Sequence, residues 1–101
     1  MTIKSQSDKK TGFLYLLKID DTYKIGITRN IEKRMASYRR EVPFNIEIKR
    51  YYISNPISGY KLVEKIIKDK YKGNVIMGEE WFMLTDQERD DIISFIKSKE
   101  N

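Results

Sequence analysis

The 101-residue chain has no cysteine and no histidine. The first absence removes disulfides and thiol nucleophiles. The second removes imidazole bases, and together they exclude thiolate or imidazole zinc sites and every histidine-based triad. A metal used by this protein must therefore be a hard ion held by carboxylate and water, magnesium or manganese. Long apolar runs are absent as well. The longest uncharged stretch, Tyr51 to Tyr60, is far too short for a membrane span and contains Ser, Asn, Pro and Gly. Residues 1–11 are polar and lack the apolar segment of a secretory signal, so the expected location is the cytoplasm, with no membrane partner.

What is present points to a small folded domain. A hydrophobic share of 40% against 35% charged residues suits a globular chain with one modest core rather than a disordered one. Residues 1–11 read as a flexible basic tail and 12–101 as a single domain. The net charge of +5 is unevenly placed. Residues 28–50 carry seven basic groups against three acidic, and 61–72 carry five lysines against two acids, whereas 78–101 carry seven acids against three bases. A basic front and an acidic C-terminal end imply a side that faces a polyanion, although a solvated lysine-rich surface gives the same composition.

Gly12 to Ile19 alternates as a strand, and Tyr23 to Thr28 reads as a second, joined by the Asp20-Asp21-Thr22 turn into an antiparallel hairpin. Asn30 is placed to cap a helix in which Ile31, Arg34, Met35 and Tyr38 recur at helical spacing, closed by Pro43. Asn45 to Ile53 reads as a third strand. Ser58 is placed to cap a second helix whose apolar set is Tyr60, Leu62, Val63, Ile66, Ile67 and Tyr71, with Gly73 as its stop. Glu80 to Leu84 is a short apolar segment, and Thr85 to Glu88 has the pattern of a capping box opening a C-terminal helix. This order predicts an α+β fold, a small antiparallel sheet covered by helices.

Four side chains on these elements carry chemistry: Tyr15, Lys24, Arg34 and Glu64. A phenol, an ammonium, a guanidinium and one carboxylate are what a one-metal phosphodiester nuclease needs. Arg34 offers a planar fork that fits a phosphate bidentately, which lysine does not. Removing one such preorganised donor commonly costs ~100-fold in rate. Glu64, completed by waters, suits one Mg2+ or Mn2+ ion that stabilises the departing 3′ oxygen. Tyr15 serves as base if a neighbouring ammonium favours its phenolate, and Lys24 serves if burial lowers its own pKa; the sequence leaves both open. Tyr23, one residue away, is expected on the opposite sheet face. Arg29, Lys33, Arg39 and Arg40, in the basic stretch, are the candidate nucleic-acid contacts.

In order and spacing these residues resemble the GIY-YIG nuclease superfamily. Gly12-Phe13-Leu14-Tyr15 is similar to its first signature and Tyr23-Lys24-Ile25-Gly26 to its second, with Lys24 where most members carry tyrosine. Asn30 to Met35 is similar to the helix presenting the family arginine, Glu64 to its metal-binding glutamate, and Glu79-Glu80-Trp81-Phe82 to the closing motif of a divergent phage and meiotic-gene branch. The resemblance covers residues 12–84. It implies a three-stranded antiparallel sheet flanked by helices, metal-dependent cleavage of duplex or branched DNA, and catalytic roles for Tyr15, Lys24, Arg34 and Glu64. Tyr38 stands where many members have histidine, and the late asparagine of the family is missing.

Each group also has an ordinary structural role. Tyr15 suits a half-buried strand, Lys24 an exposed lysine, Arg34 a pair with Glu32 or Glu41, and Glu64 an i,i+4 pair with Lys68. Trp81 and Phe82 are expected in the core, and Gly26 is expected to serve packing. The alternatives to a nuclease are an inactive nucleic-acid-binding module and a small protein-interaction domain using its tyrosine-rich sheet. With no second DNA-reading module in view, weak selectivity is expected, or a homodimer or partner chain that supplies specificity.

Overall fold

A computed structural model describes residues 10–41, 47–78 and 80–101. The hairpin forms as its residues dictate. Strand β1 (Thr11–Ile19) and β2 (Thr22–Thr28) pair antiparallel around Asp20-Asp21. Asp20 takes φ 54°, a left-handed conformation that a short polar side chain tolerates. The Thr22 hydroxyl donates to the Ile19 carbonyl at 2.8 Å and seals the turn. Helix α1 (Ile31–Glu41) follows, and Asn30 caps it, its side-chain oxygen accepting from Lys33 N–H at 2.9 Å. Pro43 lies outside the described residues, as do Asn45 and Ile46. Strand β3 begins only at Lys49 and runs to Ile53.

The second helix starts differently from expectation. Ser58 belongs to a two-residue strand, β4 (Ile57–Ser58), which pairs with Thr11-Gly12. Gly59 then caps α2 (Tyr60–Lys70) in the left-handed conformation, φ 72°, without a side-chain bond. Gly73 does not stop α2; the helix closes at Tyr71, and Gly73 sits in a 3₁₀ turn, Lys72–Asn74. Strands β5 (Val75–Met77) and β6 (Trp81–Met83) form a second hairpin, and α3 (Asp86–Lys99) opens on the expected capping box of Thr85 and Glu88.

The sheet therefore has six strands, not three, in the order β3-β1-β2-β6-β5 with β4 also on β1. Sequence pattern missed β4 and β5 because two or three residues are too few to show alternation. The α+β class stands. Strand alternation divides the apolar residues between two faces. Leu14, Leu16, Tyr23, Ile25 and Phe82 pack with Val63 and Ile67 of α2 and Ile92 and Ile96 of α3. Tyr15 and Leu17 pack on the other face with Met35 of α1. Tyr23 thus lies opposite Tyr15, as its position one residue from Lys24 requires. Arg89 of α3 stacks on Tyr51, 4.8 Å from the ring centroid, and donates to the Tyr23 hydroxyl at 3.2 Å, fixing α3 to the sheet.

Candidate active site

The site arises where one strand stops short. β1 accompanies β2 as far as Thr28, but β6 pairs with it only over Thr22–Lys24. One more bond, from Ile25 N–H to the Glu80 carbonyl at 3.0 Å, ends that pairing. Beyond it the outer edge of β2 has no strand partner among the described residues. An open cleft of about 580 Å³ lies beside this edge, lined by Tyr15, Ile27, Arg34, Glu64, Lys68, Gly78 and Glu80. α1 contributes Arg34 from one face of the sheet, and α2 contributes Glu64 and Lys68 from the other.

Tyr15 reaches the cleft because Gly26 is its cross-strand partner. A Cβ at Gly26 would collide with the phenol ring, so the ring can lie across β2 only over a glycine. Tyr15 is 2% exposed, and its hydroxyl shares a hydrogen bond of 2.9 Å with that of Tyr38. The two rings meet edge to face with centroids 6.1 Å apart. Burial pushes the Tyr15 phenol well above its ordinary pKa, and the Tyr38 bond and charge add to this, against a smaller opposing pull from Arg34. A phenolate is therefore disfavoured at neutral pH, contrary to the expectation that an adjacent ammonium would stabilise one.

That ammonium is turned elsewhere. Lys24 stands opposite Leu17 on β1 and Trp81 on β6, is 6% exposed, and forms an ion pair with Glu80. Its Nζ lies 5.5 Å from the Trp81 ring centroid and 5.6 Å from that of Tyr38. Lys24 is neither an exposed lysine nor a lining residue of the cleft. Trp81 is half-buried and walls the lysine, whereas Phe82 is fully in the core, so only the second fits the core assignment. The hydrogen bond from Lys24 holds the Glu80 carboxyl below its usual range, assisted by Lys68 and Arg34 and opposed by partial burial.

Glu64 makes the i,i+4 pair with Lys68, at 3.1 Å, and both side chains are about one-fifth exposed (18% and 22%). Arg34 is exposed and has no ion pair among the described residues; Glu32 pairs with Arg50 at 3.7 Å instead. The donor set suits a hard cation, since the cleft offers carboxylate and hydroxyl oxygens and space for water. No group of three or more acidic residues placed to hold a metal occurs among the described residues. A single ion would thus rest on Glu64, with water completing its shell.

The basic side chains divide around this cleft. Arg29, Lys33, Arg39 and Arg40 are all exposed, and none of them lines the cleft. Arg39, five residues on, lies about 140° round α1 from Arg34. On α2, by contrast, Lys61, Lys65 and Lys68 follow one stripe at i, i+4 and i+7; its last member, Lys68, lines the cleft, and Lys65 pairs with Asp69 at 3.1 Å. The sequence pattern did not reveal this stripe, nor Glu80 and Lys68 as cleft groups, nor Tyr38 as the partner of the Tyr15 hydroxyl. The lysine excess in 61–72 was a visible signal for the stripe. Glu80 stood in the Glu79-Glu80-Trp81-Phe82 motif without a role of its own; it sits in a turn and gains its position from β2. Glu79 lies outside the described residues.

Membrane insertion through a helix has no support in the described residues, where no helix is long and apolar enough to cross. The family model described as the T5orf172 domain matches residues 12–97. No curated protein and no solved structure matches the chain. The matching family is a different one from GIY-YIG, which corrects the resemblance drawn from the motifs. Two glycines that carried it have packing reasons: Gly26 lies under the Tyr15 ring, and a Cβ at Gly12 would fall 2.7 Å from the Tyr60 ring.

Proposed function

As the chain belongs to the T5orf172 domain family, we propose that it is a divalent-metal-dependent endonuclease that hydrolyses DNA phosphodiester bonds in the cleft between α1 and α2. The family is compatible with a nuclease-like or nucleic-acid-binding role. The observation that carries the reading is the convergence of a guanidinium without an ion pair among the described residues, Arg34, and a carboxylate, Glu64, on one open cleft approached by a lysine stripe. Arg34 grips two phosphate oxygens and neutralises charge that grows on them. Glu64 would hold one Mg2+ or Mn2+, and such an ion would supply charge stabilisation for the departing 3′ oxygen. Tyr15 stays neutral and acts through its hydrogen-bonding proton, steadied by Tyr38. Lys61, Lys65 and Lys68 hold the phosphate backbone, so sequence selectivity is weak unless a homodimer or partner chain adds base contacts.

The test is nicking of supercoiled plasmid with magnesium or manganese, alongside Glu64→Ala and Arg34→Ala. Loss of ~100-fold or more in both folded variants upholds the reading. An intact plasmid with the parent protein refutes it for this substrate. A second reading, a DNA-binding module without turnover, draws on the lysine partners that both cleft carboxylates already have. Salt-sensitive retention of DNA without cutting would single it out.

A further inference from the structure

Neither group first considered as the base is placed to act as one. Tyr15 is a buried phenol tied to Tyr38, and Lys24 stands behind the cleft wall. What Lys24 does is hold Glu80, whose side chain is 52% exposed and lines the cleft. Glu80 is fixed twice. Its carbonyl is bound by Ile25 N–H, and its carboxylate is bound by a lysine that is itself boxed between Trp81 and Tyr38. A buried ammonium needs a close anion, so the pair is locked from the lysine side as well. The groups facing Glu80 are Tyr15 from β1, Lys24 from β2, Arg34 from α1, and Lys68 with its partner Glu64 from α2.

Resting on the nuclease reading, we propose that Glu80 is the catalytic carboxylate that orients the attacking water and takes its proton, and that Lys24 is a positioning residue that holds the Glu80 carboxylate at the cleft. The water oxygen bonds to phosphorus as the bond from phosphorus to the 3′ oxygen breaks. The water proton passes to Glu80, and the departing oxygen keeps the bonding pair and takes a proton from solvent. Glu80 then returns its proton to solvent. Glu64, paired with Lys68, would be left to the metal, so the two carboxylates of the cleft have separate tasks. This reassigns Lys24 from proton handling to support.

Two measurements decide it. Carboxyl 13C NMR follows the titration of Glu80 in the metal-free parent and in Lys24→Met. The midpoint should rise in Lys24→Met, because the hydrogen-bonding cation is gone; an unmoved midpoint overturns the role of Lys24, whether or not the protein cuts DNA. Plasmid nicking is then compared for Glu80→Gln and Glu80→Asp with DNA retention recorded at the same salt. Glu80→Gln should lose about 100-fold or more in rate with DNA binding kept, and Glu80→Asp should recover part of it. In Lys24→Met the acid limb of the pH–rate profile should move up with the Glu80 midpoint. Parent-like cutting by Glu80→Gln overturns the catalytic assignment alone. A parent that cuts no DNA overturns the nuclease reading and the catalytic role together, while the NMR result still decides the tether.

Discussion

Gly26 shows how much one missing methyl group can determine. Its cross-strand partner is a tyrosine whose ring occupies the space a Cβ would fill. Gly26→Ala should cost about 1–3 kcal/mol in urea unfolding, the range for overpacking a dense interior, and should shift the near-ultraviolet dichroism of the aromatic cluster. A parent-like variant would mean that the ring moves freely. Tyr15 itself makes a pH prediction. Its folded pKa is raised above an unfolded value near 10, so the neutral phenol is the form the fold favours. That contribution is fully present below about pH 10 and is lost as pH rises from there toward the folded value. Tyr15→Phe should therefore flatten the alkaline fall of unfolding free energy. Tyr52, pushed up to about 12 mainly by burial and then by its bond to Glu100, adds a fall in the same direction that the variant retains. The residue types were legible in the sequence, but the protonation of Tyr15 was not, because it depends on burial.

Among the elements, helix starts show which signals are local. Asn30 and the Thr85–Glu88 box act on backbone N–H groups within three residues, and both form as read. Thr85→Ala should cost ~1 kcal/mol in thermal or urea unfolding, and Thr85→Ser should cost little; equal losses would show that the hydroxyl is not the stabilising group. Ser58 failed as a cap because β1 recruits it into β4, a pairing between residues more than forty apart in sequence. The C-terminal end of α3 is held likewise by distant partners. Glu100 accepts from the Tyr52 hydroxyl and from Asn55, and Asn101 N–H donates to the Pro56 carbonyl at 2.9 Å. The folded pKa of Glu100 is depressed, with bonds from Tyr52 and Asn55 overcoming burial. Its contribution is therefore present above the unfolded value near 4.3 and lost as pH falls through the folded one. Glu100→Gln should weaken the acid sensitivity of unfolding; an unchanged acid limb would assign that sensitivity to other carboxylates.

At the scale of the whole molecule, charge and sheet architecture meet at one place. The lysines of α2 line up toward the cleft, while Asp86, Glu88, Asp90 and Asp91 gather at the start of α3. DNA affinity should fall steeply with salt, and replacing Lys61 and Lys65 by alanine should reduce the slope of log K against log salt by up to about 0.9 for each lysine removed. The same double change in Arg39 and Arg40 should reduce it less, since α1 carries Arg39 away from Arg34. Equal slopes for the two variants would show that the track does not follow α2.

Composition and periodicity alone excluded thiol and imidazole chemistry and the zinc sites built on them, and they determined the α+β class, the first hairpin, α1, the bulk of α2 and the cap of α3. Each depends on residue type or on contacts a few positions apart. Only the tertiary structure decided the six-stranded sheet, the side on which the basic residues converge, and the company each titratable group keeps. Lys24 and Glu80 are 56 residues apart in sequence, and they meet because β6 pairs with β2 and then stops at Ile25. Pairings over such separations are selected by burial across the whole sheet, and no local pattern encodes them.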